Sequence, residues 1–125
     1  MTTPILLTET MLEGTTGYYT FTLDQDMSFL TELVLKIYDV DTNAIVNNRD
    51  WQDVLNTNGC TVATDPGPPL VTTITLELAP EDTVILDPTR LVEYRALVFR
   101  WTWNAGARAA AHAVQFGVEA LALTP

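Results

Sequence analysis

The chain has little of the chemistry on which catalysis usually draws. It holds one cysteine, Cys60, one histidine, His112, and one serine, Ser28. A single cysteine excludes an intramolecular disulfide, so this is not a small domain stapled by cystines. A single histidine excludes a two-histidine metal site. A Ser/His/Asp triad would have to pair Ser28 with His112, and nothing around either residue supports that. No GxSxG elbow, P-loop or glycine-rich dinucleotide motif occurs. Neither catalytic residues, nor a cofactor, nor a metal are expected. Cys60 follows Asn58-Gly59 at the start of an expected strand, which suits a structural thiol. His112 is expected on the surface of a strand.

Positive charge is also scarce. Six basic residues face 16 acidic ones, a formal charge of −10. Such a surface repels phosphate backbones and anionic lipid, so direct binding to nucleic acid or membrane is not expected. Arg90, Arg95, Arg100 and Arg108 gather late in the chain and are expected to be solvated strand positions. Long hydrophobic runs are missing too. Pro4-Ile5-Leu6-Leu7 is short, lacks a basic residue before it and is soon followed by Glu9 and Glu13, so neither a signal peptide nor a membrane span is expected.

What the chain does contain is alternation with period two. In TTITLEL (72–78), Ile74, Leu76 and Leu78 oppose Thr73, Thr75 and Glu77, the pattern of a strand with one buried face. ELVLKIYDV (32–40), YYTFTL (18–23), VEYRALVFRWTW (92–103) and AVQFGVEAL (113–121) repeat it. In the longest of these, Leu97, Phe99, Trp101 and Trp103 share one face, a packed core. Turn residues separate the runs at Asp24-Gln25-Asp26, Asn58-Gly59, the 65–69 Pro/Gly cluster, Asp87-Pro88 and Asn104-Ala105-Gly106. The Ala-rich 107–113 stretch is read as the frayed start of a strand, and Ala79–Thr83 as a single helical turn linking two strands. An all-β fold follows, an immunoglobulin-like antiparallel β-sandwich of about seven strands. The length suits one domain over residues 1–125. Within it, residues 1–14 form either an N-terminal arm or a first strand packed on its own domain.

DVDTNAIVNNRD, Asp39 to Asp50, places oxygen ligands at the first, third, fifth and twelfth positions of an apparent calcium loop. The sixth position holds Ala44 where such a loop needs glycine, the twelfth holds the shorter Asp50, and a strand precedes it in place of a helix. A turn is expected. Glu81 and Asp82 could suit glycoside hydrolysis, but acids are so abundant here that their pairing means little. Surface binding is the remaining class of function. Trp51 lies near Arg49 in a polar segment, a pairing enriched at protein interfaces, and a tryptophan that caps one end of the sandwich is the equal alternative. The apolar start of the chain, Ile5, Leu6 and Leu7, could order against a neighbour. Ile5, Leu6, Leu7, Arg49 and Trp51 are therefore the candidate interface residues. A carbohydrate- or calcium-binding sandwich, with Tyr18, Tyr19 and Trp51 as sugar platforms, is an alternative of another class.

The run LKIYDVDTNAIVNNRDWQDVLNTNGCTV, then TTITLELAPEDTVILD, EYRALVFRWTW and AVQFGVEAL, resembles small immunoglobulin-like structural proteins of tailed bacteriophages. The likeness spans roughly residues 30–121 and rests on structural motifs: a strand ending in Tyr-Asp, an Asn-Arg-Asp segment, a Pro-Glu-Asp-Thr turn and a Phe-x-Trp-x-Trp strand. It implies a non-enzymatic virion component, assembled in the host cytoplasm. A capsid decoration protein on the head lattice is the leading expectation, and a neck or baseplate module of the same fold the second. Its implied partners are other virion proteins, the major capsid protein or portal and neck proteins, and further copies of the chain in a homo-oligomer within the assembled particle. It carries over no active-site residues.

Overall fold

The computed structural model describes residues 5–23, 30–87, 89–103 and 108–120, with residues 5–10 described through their backbone alone. Among the described residues eight strands follow one another: β1 (Ile5–Leu12), β2 (Gly17–Leu23), β3 (Glu32–Asp39), β4 (Gln52–Asp53), β5 (Cys60–Asp65), β6 (Val71–Leu78), β7 (Val92–Trp103) and β8 (Arg108–Glu119). A single 3-10 turn, Pro80–Thr83, joins β6 to the segment leading into β7. The strands form two sheets, one ordered β1-β8-β7-β3-β4 and the other β2-β6-β5. All pairings are antiparallel except β1 with β8, which is parallel with a register break between Leu6 and Thr10.

The alternation sets the core. Leu33, Leu35 and Ile37 of β3, Leu97, Phe99 and Trp101 of β7, and Val114, Phe116 and Val118 of β8 point inward from the larger sheet. Phe21, Ile74, Leu76, Leu78 and Cys60 meet them from the smaller one. Trp101 is buried as its spacing predicts and Trp103 packs against the cluster half-buried. The Ala-rich stretch is the start of β8, and Pro80–Thr83 is the expected helical turn.

Two elements differ from the periodic reading. Ile45-Val46, although apolar enough to suggest a strand, makes one bridge, Tyr38 to Ile45. The chain there is turning, since Asn47 and Asn48 both have positive φ and Arg49 N–H donates to Val46 C=O at 3.1 Å. β4 is two residues long and too short to carry a period. Ser28, Pro88, Leu121 and the expected turns at Asp24–Asp26 and Asn104–Gly106 lie outside the described residues.

Candidate interaction face

The charged side chains that reach the interior are engaged with one another. Glu93 and Arg95 share the inward parity of Leu97 and Phe99 and are fully buried at one end of the sandwich. Arg95 reaches Asp39 at 3.1 Å and Glu93 at 2.7 Å, and donates to Val84 C=O. Arg90 joins the same carboxylates at 3.4 and 3.5 Å and also pairs with Asp41. Burial pushes the Asp39 carboxyl up, but hydrogen bonds from Thr42 and the charges of Arg90 and Arg95 outweigh it and hold it below the usual range. Glu93 is likewise depressed: burial raises it, while Leu86 N–H, Arg95 and Asp87 N–H overcome that. Arg95 was expected to be solvated and is not. Arg90 is half-exposed, and Arg100 and Arg108 are exposed as expected.

This arrangement answers the apparent calcium loop. Asp39 accepts from Thr42 N–H at 3.0 Å and Asn43 N–H donates to Asp39 C=O at 2.8 Å, which closes a turn with Asn43 at φ 62°. The carboxylates at the first and third ligand positions face arginines, and among the described residues no group of His, Cys, Asp and Glu is placed to hold a metal.

A second buried pair fixes the next loop. Arg49, 5% exposed, meets Asp82 through Nε at 2.7 Å and Nη2 at 3.1 Å, a two-pronged contact that suits the planar guanidinium. Asp82 also accepts from Asn47 Nδ2 and Ala79 N–H, while Arg49 Nη1 donates to Gln52 and to Asn58 C=O. A shallow polar pocket of about 320 Å³ opens beside this pair, lined by Asn47, Gln52, Asn58 and Glu77 among others. Arg49 was an interface candidate. Its side chain instead turns inward to tie the 46–52 segment to the 3-10 turn.

His112 also differs from its expected surface position. It shares the inward parity of Val114, sits half-buried with its ring 4.2 Å from that of Phe21, and lies 2.6 Å from the Tyr19 hydroxyl through Nε2. Burial lowers its pKa and raises that of Tyr19. Cys60 is buried and its thiol pushed up to about 11, as suits a structural residue.

The two outer faces of the sandwich differ in chemistry. The smaller sheet presents Tyr18, Thr20, Thr22, Thr61, Thr73, Thr75 and Glu77, polar and largely threonine. Along the larger sheet, outward parity selects Val34, Lys36 and Tyr38 on β3 and Tyr94, Ala96, Val98 and Arg100 on β7. Trp51 lies over this second face at 37% exposure, in the left-handed region with φ 52°. The Arg100 guanidinium is 4.7 Å from the Trp51 ring centroid and the Lys36 ammonium 5.6 Å, both within range of attraction to its π face. Lys36 and Arg100 make no ion pair among the described residues, whereas Arg49, Arg90 and Arg95 all do. A shallow, mostly apolar pocket of about 210 Å³ opens between Lys36, Tyr38, Asn43, Trp51 and Val98.

Of the candidate residues, Trp51 is therefore on an exposed face and Arg49 is beneath the surface. The backbones of Ile5 and Leu6 pair with Val114 and Gln115, and Leu7 continues the same strand, while their side chains lie outside the described part. Lys36, Tyr38, Val98 and Arg100 were not among the candidates, although the same alternation that identified the core assigns them outward. No family model matches the chain, nor does any curated protein or solved structure.

Proposed function

We propose that this chain is a non-enzymatic structural subunit of a tailed-phage virion, a capsid decoration protein built on an immunoglobulin-like sandwich. Its strand order supports the fold part of the reading. β2-β6-β5 and β8-β7-β3-β4 follow the B-E-D and G-F-C-C′ orders of a variable-type sandwich. The sequence resemblance over residues 30–121 supports the virion part.

One observation carries the mode of action: the outer face of the larger sheet leaves Trp51 exposed and two cations without ion-pair partners among the described residues, while the buried charged groups are engaged internally. A chain so arranged acts by binding, through an aromatic and arginine-bearing patch of the kind enriched at interfaces. Many copies bound to a lattice would stabilise the particle by mass action, because they bind the assembled state and not its separated parts.

The test is copy number in purified particles, by quantitative mass spectrometry against the major capsid protein. Hundreds of copies are expected for a decoration protein. A dozen or a few dozen, following ring symmetry, would move the chain to the neck or baseplate. Absence from the particle would overturn the virion reading.

A further inference from the structure

The chemistry of the exposed face narrows what can cover it. Lys36 and Val98 are cross-strand partners, as are Val34 and Arg100. The two cations are thus diagonal neighbours on adjacent strands, a relation that separates side chains by roughly 7–8 Å at their base. An extended chain bearing acids at alternate positions presents them about 6.7 Å apart on one face. Beside the cations, Trp51, Tyr38 and Val98 offer apolar and aromatic contact, and the pocket of about 210 Å³ that they line with Lys36 and Asn43 has room for one aliphatic side chain. Beyond the pocket Tyr94 is exposed, while Val34 and Ala96 are covered.

Exposed acids border the two cations: Asp53, opposite Val34, is diagonal to Lys36 and accepts Leu55 N–H at 3.1 Å, and Glu32, opposite Thr102, is diagonal to Arg100. Lys36 and Arg100 both lie against the Trp51 ring. A second copy of the chain, itself acidic, would also bring carboxylates to these cations and is therefore one outcome of the test.

We propose that the face centred on Lys36, Trp51 and Arg100 binds an acidic segment of a partner protein, an extended stretch in which carboxylates alternate with apolar side chains. The carboxylates pair with Lys36 and Arg100, and an apolar side chain packs on Trp51 and Val98. The proposal rests on the reading of the chain as a module that acts through its surface, and it names the chemistry that surface takes.

The experiment is an NMR titration of the nitrogen-15-labelled full chain with a short synthetic peptide alternating glutamate and leucine. Shifts are expected at the Lys36, Val98 and Arg100 amides and the Trp51 indole, fading as salt is raised. The double variant Lys36→Glu/Arg100→Glu, and separately Trp51→Asn, should each weaken binding at least tenfold or so. Asparagine is chosen because it tolerates the positive φ at that position. Unchanged dispersion elsewhere in the spectrum would show that both variants fold. A lysine-leucine peptide should instead perturb residues scattered over the acidic surface.

Four results would overturn the proposal: no shifts with the acidic peptide; shifts on the threonine face; shifts that appear on concentrating the protein alone, which would mean a second copy; or shifts at Trp51 with glucuronate but not the peptide, which would mean a sugar acid. Particle content is measured separately, so failure here and failure of the virion reading are distinguishable.

Discussion

Arg95 is fully buried between Asp39 and Glu93, and its removal would leave two buried carboxylates without their main cation. Breaking one side of such a pair costs about 3–5 kcal/mol, a large share of the stability of an ordinary domain. Arg95→Met should therefore lower the urea midpoint sharply, with little change in slope. The same carboxylates set an acid limit. Because Asp39 and Glu93 have folded pKa values below their ordinary 3.8 and 4.5, their contribution is complete above those values and is lost as pH falls through the depressed folded values. His112 acts at higher pH. Its folded pKa is also lowered, so the neutral ring favours the fold. That contribution is present above the ordinary 6.5 and disappears as pH falls through the folded value. Between the two, stability should fall by at most about 1.4 kcal/mol per pH unit, and the step should vanish in His112→Phe. A step that survives the substitution would assign it elsewhere. None of these roles was read from the sequence, yet parity already held part of the answer. Extending the inward positions of β7 back from Leu97 reaches Arg95 and Glu93, and extending those of β8 back from Val114 reaches His112. Charge was taken as a sign of exposure, and one partner that makes the burial of Arg95 tolerable, Asp39, ends β3 and opens the loop that looked like a metal site.

At the scale of elements, the long strands were legible because each buries one face, and a one-residue slip would expose all its apolar side chains. β4 was not legible, since two residues hold no period, nor was the parallel pairing of β1, which depends on where a distant strand lies. In the described part of residues 1–14, Ile5–Leu12 pairs with β8 of the same chain. The backbone hydrogen bond from Glu13 N–H to Glu119 C=O and the packing of Met11 on the core belong to a strand of its own fold. A chain beginning at Thr15 should lose about 2 kcal/mol or more from Met11 alone. It should also expose the β8 edge and associate with rising concentration, as size-exclusion chromatography would register. Unchanged stability would return the segment to the role of a free arm. The Asn58-Gly59 turn offers a sharper local test. Cys60 N–H donates to Thr57 C=O at 3.1 Å, and Asn58 and Gly59 have φ of 53° and 87°, the signs a type I′ turn requires. A methyl group on Gly59 would also come within 3.1 Å of the Glu77 carbonyl oxygen. Gly59→Ala should cost about 1–2 kcal/mol, read as a lower thermal midpoint.

The molecule as a whole combines two kinds of electrostatics that salt separates. The buried pairs, Arg95 with Glu93 and Arg49 with Asp82, lie out of water and are little screened. The excess of acids is mutually repulsive over distances that dissolved ions do reach, since the screening length shrinks from about 30 Å at 0.01 M to about 8 Å at 0.15 M. Raising salt over that range should therefore stabilise the free chain, because it relieves repulsion in the compact state while leaving the internal pairs intact. A relief of about 1 kcal/mol would appear as roughly a 4 °C rise in thermal midpoint for a domain of this size. Binding through Lys36 and Arg100 should respond in the opposite direction, because those cations face solvent and attract their partner across it. One salt series on the same protein thus yields two curves, stability rising and acidic-peptide affinity falling. A fall in both would mean that exposed ion pairs, and not the buried ones, hold the sandwich together. In that case the distinction between an internally neutralised core and a binding face with unpaired cations would fail.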